Sequence, residues 1–514
     1  MLHAFYENNQ SRVKQILNNS KDESMRKKIL VCLASIFFVT TAFAENACIA
    51  NLAKNPFAFD QLQNCHIQDK DIPVLVEFYL KKSGGCCGNA INLANNQISS
   101  YGVLMLTKAG RLYRLILDGN NIGDQGAMII AEHGYFDELS LSNNHITDVG
   151  AIALSKAKKI EQLRLANNHI TSVGAKALAK NQKLIALNLD HNQIDDEAAA
   201  ELAQNPNLET LSLANNQITQ QGALAIAAAK ANITDLNLAN NQIGTEGAIA
   251  LLSLPALEKL NISHNQIGPE VANAFANVQK LRELDISHNE LGPEGVIAVA
   301  SVEINKLSIG GNRMGAEGIA ALANNTKTKD WKLDVSDENL GDKNIEILAK
   351  NPTLSELVAN NNHLSSKAAL ALVKNPNLLS ISLKSNNLGD EGAEILSKNY
   401  HFHSIYLDNN HVTANGAAAL ATKGSLCELS LNDNDIGDAG ASKLAATNIS
   451  YCGLVRSLRN CVIGNKGALA MAQSKYITHL DVSKNHIGPD AIAALYNNRN
   501  IWQLNVTDND GNLK

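Results

Sequence analysis

Histidine is the residue type whose repetition in this sequence could create a metal site. Eight histidines fall beside a recurrent asparagine, either just before it or just after it: His191, His264 and His288 before, and His145, His169, His363, His411 and His486 after. His264 and His288 are 24 residues apart, in neighbouring copies of the same segment. Neighbouring strands lie about 4.8 Å apart, so these two imidazoles could share a metal ion. Repetition of a tolerated turn residue is the simpler interpretation, and we predict no metal site.

Other reactive patterns are weaker. Asp508-Asn509-Asp510-Gly511 is similar to the start of a calcium-binding loop, but no Glu follows it, so we interpret the segment as a turn. The sequence has no G-x-S-x-G, no H-E-x-x-H and no phosphate-binding loop. We therefore predict no catalytic residues and no cofactor.

One repeat dominates the chain and must position any functional residue. The pattern L-x-L-x-x-N-x-I, with some substitutions, occurs eighteen times, and 13 of the 17 intervals are 24 residues long. The units begin at Ile91, Leu115, Leu139, Leu163, Leu187, Leu211, Leu236, Leu260, Leu284, Leu307, Leu333, Leu357, Ile381, Ile405, Leu429, Arg456, Leu480 and Leu504. A fixed period of this kind indicates a solenoid with one strand and one helix in each unit.

The chemistry of each unit explains this prediction. The L-x-L alternation puts two apolar side chains on one face of a short strand. We expect the Asn that follows to satisfy backbone groups at the turn and to stack from unit to unit as a ladder. Segments such as Gly174 to Ala179 then show helical spacing, and Asn-Pro pairs such as Asn205-Pro206 end the helix.

These motifs resemble leucine-rich repeats. The resemblance implies an α/β solenoid, a horseshoe with parallel strands on the concave face and helices on the convex face. The Gly-Ala-Leu-Ala segment at 222–225 looks more narrowly like the GALA-type repeats of bacterial effector proteins, which are related to ribonuclease-inhibitor-like repeats. GALA proteins carry an F-box that recruits ubiquitin ligase components, whereas Glu45 to Pro56 here matches a repeat helix. The resemblance is specific for the fold and leaves the partner open.

Two units depart from the asparagine ladder. Glu338 replaces the Asn in the unit that begins at Leu333, and Cys461 replaces it in the unit that begins at Arg456. Both units follow unusually long intervals, of 26 and 27 residues. Local repacking is the simpler interpretation, and a functional kink or site is the alternative.

The first 44 residues have the pattern of a secretory signal. Met25-Arg26-Lys27-Lys28 is followed by an apolar run from Ile29 to Val39 and by Ala42-Phe43-Ala44. We predict a signal region at 1–44 starting at Met25, with cleavage after Ala44. A divergent capping repeat at 45–90 and leucine-rich repeats at 91–514 would follow. The apolar run is too short to span a membrane.

Composition excludes two classes of protein. The chain has 514 residues, a formal charge of −6, 45% hydrophobic residues and 18% charged residues. Basic residues are concentrated in the signal region, so the remaining chain is more acidic still. It is too apolar to be disordered, and its charge argues against a nucleic-acid partner.

Seven cysteines remain after the predicted cleavage and cluster toward the two ends: Cys48, Cys65, Cys86, Cys87, Cys427, Cys452 and Cys461. Disulfides at the ends of a solenoid suit an oxidising compartment. The four N-terminal cysteines allow three pairings, and the odd total leaves one thiol free or paired between chains. A metal site is the alternative, but the spacings lack C-x-x-C pairs.

Candidate binding residues are those that interrupt the small, polar positions of the expected concave face. They form two patches, the N-terminal patch (Arg114, Ile116, Asp118, Glu138 and Arg164) and the C-terminal patch (Val358, Lys384, Tyr406 and Asp408). Tyr and Arg are over-represented at binding hot spots. Ordinary surface variation is the alternative explanation.

We therefore expect an exported, monomeric protein-protein interaction scaffold, and as one form of it a bacterial virulence effector that binds a host protein. The alternative is a ubiquitin-ligase-recruiting effector or an enzyme that uses the repeats to capture its substrate. A structural protein of the periplasm or cell surface is a third hypothesis. The absence of a second, non-repeat region of domain size favours the scaffold.

Overall fold

The computed structural model describes residues 48–49, 62–83, 90–110, 112–229, 232–422, 425–447, 452 and 454–510. The predicted signal region at 1–44 lies outside these residues, as does much of the predicted capping repeat. The chain divides into two compact units, one ending at Ser212 and the other beginning at Leu213.

The first unit is a parallel sheet in chain order with helices between its strands. Its core leucines are in register, as in the pairing of Leu115 with Leu139. The strands are β1 (Ala90–Asn92), β2 (Leu112–Ile116), β3 (Phe136–Ser140), β4 (Gln162–Arg164), β5 (Ala186–Asn188) and β6 (Thr210–Ser212). The helices are α1 (Ile72–Ser83), α2 (Ser100–Leu106), α3 (Gly123–His133), α4 (Asp148–Leu154), α5 (Ser172–Ala179) and α6 (Asp196–Ala203), with 3-10 turns at Asp69–Asp71 and Thr107–Ala109.

The second unit repeats the same arrangement with parallel strands in chain order. Its strands are β7 (Asp235–Asn237), β8 (Lys259–Asn261), β9 (Glu283–Asp285), β10 (Lys306–Ser308), β11 (Trp331–Asp334), β12 (Leu354–Val358), β13 (Ser380–Ser382), β14 (Ser404–Tyr406), β15 (Glu428–Ser430), β16 (Leu454–Ser457), β17 (Ile477–Asp481) and β18 (Gln503–Asn505). Its helices are α7 (Gln220–Ala228), α8 (Gly244–Leu252), α9 (Gly292–Ala300), α10 (Gly315–Asn324), α11 (Gly341–Leu348), α12 (Ser366–Leu372), α13 (Gly389–Ser397), α14 (Ala414–Ala421), α15 (Gly437–Ala445), α16 (Asn465–Ala472) and α17 (Pro489–Asn497), and a 3-10 helix at Pro269–Asn277 takes the place of one α-helix. The predicted α/β solenoid of parallel strands and helices is confirmed within each unit.

The core lies between the strands and the helices. Leu115 and Leu117 of one repeat are fully buried, as is Ala127 on the helix that follows. Burial of one such leucine contributes about 1.5–3 kcal/mol, so each repeat adds a similar increment to the stability of its unit. None of the helices in the described part of the chain is long and apolar enough to cross a membrane.

The predicted asparagine ladder is present. Asn120 donates hydrogen bonds from Nδ2 to the carbonyl oxygens of Leu93 (2.9 Å) and Leu117 (3.0 Å). Its Oδ1 accepts from the backbone N–H of Ile98 at 3.0 Å. One buried side chain thus satisfies backbone groups in its own repeat and in the preceding one, which holds neighbouring turns together.

A second ladder, which was not predicted from the sequence, joins the helix starts. Asp124 Oδ1 accepts from the backbone N–H groups of Thr147 (2.8 Å) and Gly150 (2.9 Å), and Oδ2 accepts from the Thr147 hydroxyl (2.6 Å). A Cβ atom on Gly150 would lie 2.6 Å from Asp124 Oδ1. The Gly at this helix position is explained by its close approach to an Asp of the preceding repeat at Gly150, and in the same way at Gly174, Gly416 and Gly467.

Candidate functional site

The strand face is the surface formed by side chains that point away from the helices, beside the buried leucines of each strand. In the N-terminal patch, Arg114 Nε lies 3.3 Å from Glu138 Oε2, and these residues are register partners on β2 and β3. Asp118 accepts from the Ser140 hydroxyl (2.6 Å) and the Ser142 N–H (2.8 Å). The structure thus pairs Arg114 with Glu138 and fixes Asp118 through two serines of the next repeat.

The other two residues of the N-terminal patch flank a serine. Ile116, Ser140 and Arg164 are register partners on three consecutive strands. Ser140 is buried, whereas Ile116 and Arg164 are partly exposed. Arg164 forms no ion pair with any other residue that the structure describes, which leaves its guanidinium available to a partner.

The C-terminal patch contains a fixed ion pair. Lys384 Nζ lies 2.9 Å from Asp408 Oδ2. Asp408 also accepts hydrogen bonds from the Ser430 hydroxyl and from the Asn432 N–H, the latter at 2.9 Å. Because Asp408 is nearly buried, it acts as an anchor that orients Lys384.

Tyr406 lies beside this pair. The Lys384 ammonium is 5.3 Å from the centre of its ring, within the range of a cation–π interaction. Glu428, on the next strand, lies near the Tyr406 hydroxyl. Burial and this neighbouring carboxylate raise the pKa of Tyr406, so the phenol stays protonated. Val358 is separated from Tyr406 by Ser382, and these three residues are register partners on β12, β13 and β14.

The histidines occupy turn positions, as the simpler interpretation predicted. His191, His264 and His288 have φ angles of 52°, 54° and 53°, a left-handed region in which Asn, Asp and His are enriched. The rings of His264 and His288 are stacked, with centroids 4.3 Å apart and an interplanar angle of 11°. Parallel stacking does not direct two ring nitrogens at a common point. Among the described residues there is no group of three or more His, Cys, Asp or Glu that could hold a metal ion.

Electrostatics favour the neutral form of the His264 ring. Burial and the neighbouring His288 lower the pKa of His264. His288 Nε2 lies 3.5 Å from Asp337 Oδ2, which orients its ring away from a shared ligand position.

The cysteines follow the prediction of end clusters. Disulfides join Cys48 to Cys65 and Cys427 to Cys452, and Cys461 is a buried free thiol. The structure therefore selects one partner for Cys65 among those that the sequence left open. Cys86 and Cys87 lie outside the described residues.

Both ladder departures are accommodated structurally. The Glu338 carboxylate accepts from the backbone N–H groups of Asn312 and Met314, but as a carboxylate it has no proton to donate. Cys461 Sγ lies 3.1 Å from the carbonyl oxygen of Leu431, in the place of an Asn amide donor. Burial raises the pKa of the Cys461 thiol to about 12, which keeps it protonated.

Arg456 was not predicted from the sequence to have a role of its own. It occupies a core leucine position and is 2% exposed. Its guanidinium donates to the carbonyl oxygens of Val455 (2.9 Å), Cys427 (3.2 Å) and Leu426 (3.4 Å). Burial lowers its pKa to about 10. The sequence did contain a signal for this residue, because an Arg stands where other repeats have Leu or Ile, in the same repeat as Cys461.

Glu428 was also missed. Its position just before the first leucine of a repeat is the same as that of Arg114 and Glu138. The position therefore carried information, but the contact with Tyr406 depends on which way the ring points.

Cavities in the described residues lie away from both patches. One of about 420 Å³ is lined by Leu252, Leu254, Leu257, Val278 and Leu281, and one of about 410 Å³ lies beside Leu469 and Ala472. Both occur where two consecutive helices end, and a smaller one beside Ala300 lies at the corresponding place. Their recurrence identifies them as grooves of the repeat packing.

Two family models match the chain, and both are described as leucine-rich repeats. The first matches residues 135–194, 158–218, 206–267 and 231–291. The second matches residues 112–131, 304–323, 374–397, 425–445 and 473–495. No curated protein sequence matches significantly.

Solved structures of plant receptors show a distant likeness. The Arabidopsis receptor kinase HAESA, in complex with the peptide hormone IDA and the co-receptor SERK1, is 16% identical over 82% of each chain, with a TM-score of 0.31. The plant peptide hormone receptor RGFR1, in complex with RGF2, is 14% identical over 88% of this chain and 90% of its own, with a TM-score of 0.29. The matched repeats, together with the recurring strand, asparagine turn and helix, show that the chain belongs to the leucine-rich repeat family.

Proposed function

We propose that this chain is an exported protein-protein interaction scaffold that binds a protein partner through its strand face. The observation that carries the proposal is an ordered patch on the strand face of each unit. Arg114 is held by Glu138 and Lys384 is held by Asp408, each beside an aromatic or apolar side chain. Elsewhere the strand positions carry mostly Asn, Ser and Ala, together with charged residues that include the Lys259–Glu283 and Lys332–Glu356 ion pairs.

Ordered anchors favour binding for a thermodynamic reason. A long side chain that is already held in one conformation loses less entropy when a partner arrives. Tyr and Arg also supply large contact areas with polar groups, which is why they dominate many interfaces. The strand-face patches therefore offer both the chemistry and the preorganisation that tight binding requires.

Export is the second part of the proposal. The signal-like segment at 25–44 and the two disulfides support it, because disulfides persist in oxidising compartments. The resemblance of the helices to GALA-type repeats supports a bacterial virulence effector that engages a host protein. We propose no catalytic role for the chain.

The test has two steps. N-terminal sequencing of the exported protein should find Glu45 as the first residue, and an intact Met1 or Met25 on the exported form would contradict export by this signal. The mature chain, immobilised and exposed to extracts of candidate host cells, should then retain a protein that survives washing. The scaffold proposal would be contradicted if no protein is retained, or if free mature chain does not compete with the retention.

A further inference from the structure

A notch crosses the C-terminal patch of the strand face. Val358, Ser382 and Tyr406 are register partners on three consecutive strands, so the two larger side chains stand roughly 10 Å apart with a serine between them. Ser380 and Ser404, one row nearer the strand starts, are also register partners and extend the small-residue floor. The notch is therefore about one side chain wide.

The two walls of the notch are apolar. Val358 and the ring of Tyr406 offer contacts to an aliphatic chain rather than to a compact polar group. Leu379, just before β13, is a further apolar side chain and is 44% exposed. An apolar stem lying on this surface would remove these side chains from water.

The charges at the two ends of the notch differ. At one end Lys384 is neutralised by Asp408 at 2.9 Å. At the other end Glu428, the register partner of Ser404, makes no ion pair with any residue in the described part of the chain. Glu356, across the two serines, is paired with Lys332 at 3.2 Å. The end near the strand starts therefore keeps an uncompensated negative charge.

We propose that this notch takes an arginine side chain of a polypeptide partner, with its aliphatic stem between Val358 and Tyr406 and its guanidinium on the Glu428 carboxylate. The proposal rests on the proposed function and names the chemistry that the strand face recognises. Arginine fits because its planar fork can donate two hydrogen bonds to one carboxylate and its stem is long enough to lie in the notch.

The N-terminal patch differs from this notch in the charge of one wall. Ile116, Ser140 and Arg164 have the same arrangement of a β-branched residue, a serine and a large residue on three consecutive strands. The second wall in the N-terminal patch is the Arg164 guanidinium, so electrostatic repulsion disfavours binding of an arginine side chain there.

Selection from a displayed peptide library tests the proposal on the full mature chain. Peptides selected by the wild-type protein should be enriched in arginine, and selection on Glu428→Gln should lose that enrichment. Glu394→Gln, an exposed helix position that pairs with Lys398 at 2.9 Å, is the matched control and should keep it. If Glu428→Gln lowers the melting temperature, Tyr406→Ala, which removes one wall of the notch, is the second test variant and should also lose the enrichment.

One selected peptide then provides the decisive comparison. Replacing its arginine by citrulline, which is nearly isosteric and uncharged, should weaken binding to the wild type at least tenfold and to Glu428→Gln less than twofold. Equal weakening on both proteins, or no arginine enrichment, would overturn the arginine notch. Selected peptides whose binding depends on Val358 or Lys384 but does not require an arginine would refute the arginine notch and leave the proposed function standing. If no selected peptide depends on any strand-face residue, the proposed function fails as well.

Discussion

Asp390, on helix α13, accepts hydrogen bonds from both the backbone and the side chain of Thr413, which caps the next helix α14. The two Thr413 donors lie at 2.7 and 2.6 Å from its carboxylate oxygens, and the Gly416 N–H lies at 3.0 Å. The same contact recurs between Asp124 and Thr147. A carboxylate in one repeat thus fixes the start of the helix in the next.

Acid should weaken this contact. Burial alone would raise the pKa of Asp390, but the hydrogen bonds from Thr413 and Gly416 outweigh it and lower the pKa. A lowered pKa contributes stability that is present above the unfolded-state pKa and is lost as pH falls through the folded-state pKa. Asp390→Asn should therefore cost about 1 kcal/mol at pH 7 and much less near pH 3.

Thermal unfolding at both pH values measures this difference. Glu346→Gln is the control, since Glu346 is exposed and only approaches Lys350 at 4.0 Å. A loss of stability in Asp390→Asn that is the same at both pH values would show that the charge is not what holds the helix start.

The contribution of Glu338 to stability should have the opposite pH dependence. Burial raises its pKa, so its contribution to stability is lost as pH rises from about 4.3 through the raised value. A Gln in place of Glu338 keeps the length of the side chain and adds an amide donor. This donor can reach the carbonyl oxygen of Ile309, which already accepts a hydrogen bond from Asn312 Nδ2. Glu338→Gln should therefore raise the melting temperature at pH 7, and the gain should shrink toward pH 4.

The control for this comparison is Glu290→Gln, an exposed position two residues before Gly292. A melting temperature for Glu338→Gln at pH 7 equal to or below that of the wild type would contradict the ladder account of this position.

The repeat period, the core and the asparagine ladder could be predicted because each rests on a residue that recurs at a fixed place. The ladder from Asp124 to Gly150 could not, because its two members lie in different repeats and only the register brings them together. The disulfide between Cys48 and Cys65 was one of several possible pairings. In the candidate site, the sequence identified Tyr406 but not Glu428, since the contact depends on a rotamer.

Modularity can be tested by deletion. Leu139 and Leu163 are register partners at the starts of consecutive repeats. Removing residues 139–186 therefore deletes two complete repeats and makes Leu187 follow Glu138 directly. Removing residues 139–174 instead ends within a helix. We expect the first deletion to unfold cooperatively and the second to lose cooperativity, because each repeat contacts its neighbours.

Circular dichroism during heating provides the measurement. If the deletion of whole repeats unfolds no more cooperatively than the other deletion, the modular interpretation is wrong.

The most direct test of the account is capture of the retained partner by a set of single variants of the mature chain. Arg114→Ala, Ile116→Ala and Tyr406→Ala remove strand-face anchors, whereas His264→Ala, His288→Ala and Cys461→Ala change turn or ladder residues. We expect at least one of the first three to weaken the Kd about thirtyfold, for a loss of about 2 kcal/mol. The other three should keep the wild-type Kd, with folding of all six confirmed by circular dichroism. Loss of capture in the histidine or cysteine variants, with capture unchanged in the strand-face variants, would contradict the scaffold.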